Sequence, residues 1–117
     1  YKKVNSSSID NISVKVLKDK LNAKSSDLVL IDVRTESEAK LESIKKAILI
    51  PLKNIEEEKD IDKIKTISSN KKLYIHCRSG SRSIRAIEIL KNHGIHAINV
   101  KGGIEAWKKE GFKLHNS

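Results

Sequence analysis

Short apolar runs alternate along the chain with stretches whose apolar positions recur at helical spacing, the pattern of a parallel α/β sheet. Leu28-Val29-Leu30-Ile31 runs into Asp32, and Ala47-Ile48-Leu49-Ile50 runs into Pro51. Leu73-Tyr74-Ile75 runs into His76-Cys77, and Ala97-Ile98-Asn99-Val100 stops just before Gly102-Gly103. These four runs predict buried strands. Between them, Ser13 is placed to cap a helix carrying Val14, Leu17 and Leu21, and Thr35-Glu36-Ser37-Glu38 has the form of a capping box. Residues 82–92 predict a helix with Ile84, Ile87 and Leu90 on one stripe and His93-Gly94 as its stop. Residues 55–69 read as one weaker surface helix with Ile61, Ile64 and Ile67 at intervals of three, and a short helix with Ala106 and Trp107 follows Gly103.

At 117 residues the chain has the size of one domain. Residues 1–11, with Asn5-Ser6-Ser7-Ser8, read as a polar leader or linker, residues 12–112 as the domain and 113–117 as a tail. The chain holds no Met and begins with Tyr1, so an excised piece of a longer polypeptide or a trimmed product is expected. No apolar run approaches the roughly 18 residues that span a bilayer, and no membrane partner and a cytoplasmic location are the expectation.

The net charge of +9 at first resembles the signature of a nucleic-acid binder. The lysines, however, are interleaved with acidic residues along the whole chain, and Tyr1, Tyr74, Trp107 and Phe112 are too few for a base-stacking platform. A solvated surface explains them, and no specific nucleic-acid partner is expected. The four arginines behave differently: Arg78, Arg82 and Arg85 fall within eight residues beside the single cysteine. One cysteine excludes a disulfide framework within the chain, and the four histidines show no ligand spacing, so no metal and no cofactor is assigned.

The stretch from Leu73 to Ser83 is strand, short Gly-containing loop and helix start, a geometry that lines a concavity with backbone N–H groups. A cysteine at the start of that loop has its thiolate stabilised by the same dipoles and by Arg78 and Arg82, which makes it a nucleophile. The bland alternative is a small buried hydrophobe closing a strand. His76, on the opposite face of the strand from Cys77, reads as a packed core histidine. Open parallel sheets bind ligands beyond the carboxyl ends of their strands, where Asp32 with Arg34, Cys77 with its arginines and Gly102-Gly103 all lie. Phosphoryl transfer and sulfur transfer both use a thiolate in an anion cradle. Loop length separates them: Cys77 to Arg82 is C-x4-R, one residue shorter than the C-x5-R that surrounds a tetrahedral phosphate, and fits a single sulfur better.

Four motifs resemble the rhodanese family of sulfurtransferases: Leu30-Ile31-Asp32-Val33-Arg34, Ile50-Pro51-Leu52, the Cys77–Ser83 loop, and Gly102-Gly103-Ile104-Glu105-Ala106-Trp107. The resemblance runs from about Ile12 to Trp107. It implies a rhodanese-like α/β fold, with a parallel sheet of about five strands and helices on both faces. It also implies a persulfide on Cys77 as catalytic residue, and a substrate cradle of Arg78, Ser79, Gly80, Ser81 and Arg82. Arg85 is an outer contributor, Asp32 and Arg34 support the loop, and Trp107 packs behind the Gly102-Gly103 turn. Implied partners are a small sulfur-donor anion such as thiosulfate and a thiol, cyanide or carrier-protein acceptor. A small sulfur-carrier protein or a cysteine desulfurase would be the protein partner. The opening, the Asp32 turn and the ending are similar to the C-terminal rhodanese domain of adenylyltransferase/sulfurtransferases that serve molybdopterin synthesis or tRNA thiolation. The chain departs from the family at Glu42-Ser43-Ile44-Lys45-Lys46-Ala47, which is expected to put two lysines on the pocket rim. The remaining alternatives are a non-catalytic module of the same fold, and a small cysteine phosphatase or arsenate reductase.

Overall fold

A computed structural model describes residues 9–23 and 27–115; the polar stretch at residues 5–8 and the end of the expected tail, residues 116–117, lie outside them. The elements run β1 (Asn11–Ile12), α1 (Val14–Asn22), β2 (Leu28–Asp32), α2 (Glu36–Leu41), β3 (Ala47–Leu49), α3 (Leu52–Glu56), α4 (Ile61–Ile67), β4 (Lys72–His76), α5 (Ser81–Asn92), β5 (Ile98–Val100) and α6 (Gly103–Lys109). All five strands are parallel, in the order β1-β5-β4-β2-β3. The edge strand β1 begins in the stretch read as leader; its two residues pair with Asn99 and Val100 and are too few to show an apolar run.

Capping decides where the helices begin. Ser13 Oγ accepts the Val16 N–H at 3.2 Å, and Thr35 closes a reciprocal capping box with Glu38. The single helix expected over residues 55–69 is two, α3 and α4. Glu58, in the left-handed region at φ 58°, ends the first, and Asn54 Nδ2 spans the break to donate to Asp60 Oδ2 at 2.8 Å.

Strand alternation divides the interior into two cores. Leu73, Ile75 and Cys77 face the α3, α4 and α5 layer with Ile55, Ile64, Ala86 and Leu90, whereas Leu30 and Tyr74 face α1 and α6 with Leu17, Ile104 and Trp107. Trp107 also donates its indole N–H to Lys113 O at 2.9 Å, and His115 pairs with Ser43 in an antiparallel bridge. Residues 113–115, read as tail, are thereby held against the second core. The register sets Asp32 beside His76 at the carboxyl edge, the end of the sheet from which the β4–α5 loop departs.

Candidate active site

The loop after β4 is shaped by α6. Cys77 O accepts the Ile104 N–H at 2.9 Å and Arg78 O accepts the Glu105 N–H at 3.0 Å. In a trans peptide the N–H points opposite to the C=O, so fixing these carbonyls on α6 turns the Arg78 and Ser79 N–H groups to the other side of the loop. This close approach is what the paired glycines permit. A Cβ on Gly103 would fall inside contact distance of the Cys77 and Arg78 carbonyl oxygens, and its φ of 57° is itself left-handed. On the loop's inner side the Gly80 N–H donates to Cys77 Sγ at 3.0 Å. Gly80, at φ 127°, is also the N-cap of α5, and no side chain caps that helix. Its first-turn N–H groups and positive dipole end are therefore directed at the sulfur's surroundings.

Cys77 is 1% exposed, so only a slender group reaches its sulfur. The thiol lies 3.5 Å from Ser83 Oγ, which in turn is 2.5 Å from Asn99 Oδ1 and 3.0 Å from Gly80 O. Asn99 Nδ2 donates to Asn11 Oδ1 at 2.7 Å, completing a polar chain from the sulfur through two buried side chains to the edge strand.

A family model described as Rhodanese-like domain matches residues 13–110. The chain belongs to the rhodanese-like family. Among its relatives, the Bacillus subtilis protein YtwF, provisionally named a sulfurtransferase, is 36% identical over 102 residues, covering 87% of this chain and 93% of that protein. The rice (Oryza sativa subsp. japonica) protein named adenylyltransferase and sulfurtransferase MOCS3 is 33% identical over 91 residues, 70% of this chain but 20% of that protein. A crystal structure of a rhodanese-like domain protein from Staphylococcus aureus superposes with a TM-score of 0.76 at 36% identity, covering 93% of this chain and 99% of the other. Family and named relatives together support sulfur transfer as the general activity.

Within this rhodanese-like fold, the residues anticipated from sequence meet at one edge but in different settings. Arg82 is in a bidentate pair with Glu38, Nη1 to Oε1 at 2.7 Å and Nη2 to Oε2 at 2.9 Å. The Arg82 guanidinium, aided by the Thr35 N–H and hydroxyl and opposed by burial, holds the Glu38 carboxyl down at about 2. Arg78 Nε donates to Glu105 Oε2 at 2.7 Å on the exposed rim, and Arg85 lies 3.5 Å from Glu56. The side chains expected to serve an anion thus have carboxylate partners within the chain. Ser79 and Ser81 are exposed and Gly80 is buried, so what this stretch offers the sulfur is backbone. Asp32 and Arg34 are joined side chain to side chain at 2.7–3.1 Å, and Arg34 Nη2 also donates to Glu42 O at 2.8 Å. His76 is fully buried with Nδ1 3.2 Å from Cys77 O, and its Nε2 has no hydrogen-bond partner among the described residues and faces Asp32 at 3.8 Å. Burial pushes its imidazole below the usual histidine range, against the pull of the Asp32 carboxylate.

The lysines expected on the rim are elsewhere. Lys45 and Lys46 precede the amino end of β3, and Lys46 Nζ donates to Leu21 O at 2.8 Å at the far end of α1. Parallel strands carry the chain from there to the carboxyl edge, so the departing segment reaches the site only through Glu42. A cavity of about 240 Å³ beside the loop is bounded by Glu38, Leu41, Glu42, Arg78, Glu105 and Lys108, with Lys108 Nζ 2.6 Å from Glu42 Oε2. The sequence reading assigns no part in the site's contacts to the Ser83 side chain, to Asn99 or to the carboxylates of Glu38, Glu42 and Glu105. The one available signal was Asn99, a polar residue inside a run otherwise read as a buried strand.

Proposed function

We propose that this rhodanese-like chain is a sulfurtransferase that carries sulfane sulfur as a persulfide on Cys77. The observation that supports it most is the loop's inner lining: the Gly80 N–H on Cys77 Sγ at 3.0 Å, with the neighbouring carbonyls held away by α6. The Cys77 thiolate attacks the terminal sulfur of a donor such as thiosulfate; the Sγ–S bond forms, the donor's S–S bond breaks, and sulfite leaves with the electron pair. The outer sulfur, now anionic, lies among the backbone N–H groups of Arg78, Ser79, Gly80, Ser81 and Arg82, donors that are in place before charge arrives. An acceptor thiolate or cyanide then attacks that sulfur, and Cys77 departs as a thiolate. Asp32 and Arg34 are positioning residues that fix the end of β2 beside the loop.

A carrier-protein C-terminus is the third acceptor this reading admits. Similarity to the MOCS3-named protein supports it, and with it a place in molybdopterin synthesis or tRNA thiolation. A single sulfur-bearing cysteine with no resolving thiol in its own chain suits a persulfide carrier, because no internal disulfide competes with transfer. Thiosulfate:cyanide sulfurtransferase assays of wild type and Cys77→Ser test the reading: wild type turns over, Cys77→Ser does not, and equal rates overturn it.

A further inference from the structure

We infer that Glu38 is a specificity-determining residue, which by holding Arg82 in a bidentate pair biases the site against dianionic sulfur donors and toward organic donors of low charge, such as an alkyl hydropersulfide. The inference rests on the sulfur-transfer reading above and names the donor class of the same site.

Three observations carry it. The first is competition. A dianion such as thiosulfate would engage Arg82 with two oxygens, the arrangement Glu38 already makes at 2.7 and 2.9 Å. That carboxylate cannot readily swing aside, because its Oε1 also accepts the Thr35 N–H and hydroxyl at 3.0 Å in the capping box. An arriving dianion must therefore break the pair and leave a carboxylate beside it, where both side chains are about one-third exposed and poorly screened. A donor with one negative charge or none meets less opposition. The second observation is that the rest of the rim is neutralised in the same way: Arg78 pairs with Glu105 at 2.7 Å and Lys108 with Glu42 at 2.6 Å. The third is apolar. Leu41, 77% exposed, lines with Glu38 and Arg78 the cavity beside the loop, and offers an organic substituent a contact that thiosulfate cannot use.

With a hydropersulfide the step is a balanced displacement. Cys77 thiolate attacks the terminal sulfur of R–S–SH, the Sγ–S bond forms, the donor S–S bond breaks, and R–S⁻ leaves with the electron pair. The donor's proton passes to the departing thiolate or to solvent, and the site then holds the Cys77 persulfide with its outer sulfur anionic.

The test compares loading of Cys77 by thiosulfate and by an alkyl hydropersulfide with an uncharged substituent, followed by mass spectrometry over a range of concentrations. In Glu38→Gln the amide oxygen still accepts the Thr35 N–H, while the charge is removed. We expect the second-order rate constant for loading by thiosulfate to rise roughly three- to tenfold through tighter binding, with that for the hydropersulfide unchanged. Glu105→Gln, which touches no helix cap, shifts in the same direction by less and decides the matter if Glu38→Gln does not fold. A merely structural Glu38 would lower both donors together. That result, or no change with either, overturns the inference while the sulfur-transfer reading stands. Failure of both donors to load wild-type Cys77 overturns the two together.

Discussion

Three guanidinium–carboxylate pairs near the carboxyl edge of the sheet lie at different depths and do different things. Arg34 with Asp32 is inside: the side chains are 4% and 2% exposed, and the Nη2 that donates to Asp32 Oδ2 also donates to Glu42 O. Arg78 with Glu105 is outside, 65% and 49% exposed on a single short contact. Arg82 with Glu38 stands between them, half-buried and bidentate. Removing one member of a buried pair leaves a charge with neither water nor partner, whereas an exposed member is rehydrated at little cost. The inner pair is thus a strut that fixes where β2 ends, the Arg78–Glu105 pair is a rim contact whose members can change partners, and Arg82 with Glu38 is held in place by the Thr35 capping box. The same chemistry changes role with depth.

The largest expected effect follows from breaking the strut. Arg34→Ala strands Asp32 and should cost about 3–5 kcal/mol in urea unfolding; a loss as small as that of a rim variant would contradict the distinction. Next comes Gly103→Ala, which forces a methyl group onto the Cys77 and Arg78 carbonyls at left-handed φ. It should cost about 1–3 kcal/mol and reduce sulfur transfer more than stability explains, because the N–H lining of the loop depends on that contact. Comparing transfer rates and unfolding midpoints separates the two losses.

A smaller effect lies in pH. His76 has its protonation pushed below the usual 6.5, so the unfolded chain binds a proton in a range where the native state does not. Stability contributed by the neutral buried imidazole is therefore present above pH 6.5 and lost as pH falls below it, by at most about 1.4 kcal/mol per pH unit. Glu38, held down at about 2 from 4.5, adds a second loss that begins only as pH falls through 4.5. Urea midpoints across this range should show the two declines in that order; a flat profile between pH 7 and 5 would exclude the first. The smallest effect is at the rim, where Arg78→Ala should change stability by less than about 1 kcal/mol, with that difference shrinking further in high salt.

What was legible in the sequence is what is local. The four apolar runs from Leu28, Ala47, Leu73 and Ala97 announce β2–β5, although β3, read as buried, is an edge strand that leaves Ile48 exposed; the Cys77 loop is readable because nucleophile, glycine and helix start are contiguous. The two-residue strand β1 carries no pattern of its own and exists through pairing with β5. The division of α3 from α4 turns on one left-handed Glu58, a conformation no periodicity reveals. The site's electrostatics were the least legible part. Glu38 is 44 residues from Arg82 and Glu105 is 27 from Arg78, so an arginine cluster that looks free in sequence has its carboxylates supplied by distant helices. Lys45 and Lys46 show the reverse error, because adjacency in a motif did not place them at the edge where the motif's strand ends.

The most direct measurement of the sulfur-carrying role of Cys77 is the intact mass of the protein after exposure to a sulfane-sulfur donor and removal of excess reagent. Wild type should gain one sulfur atom, located on the peptide containing Cys77 and released by cyanide, while Cys77→Ser gains none. An unchanged wild-type mass with every donor, or the same gain in Cys77→Ser, would contradict it.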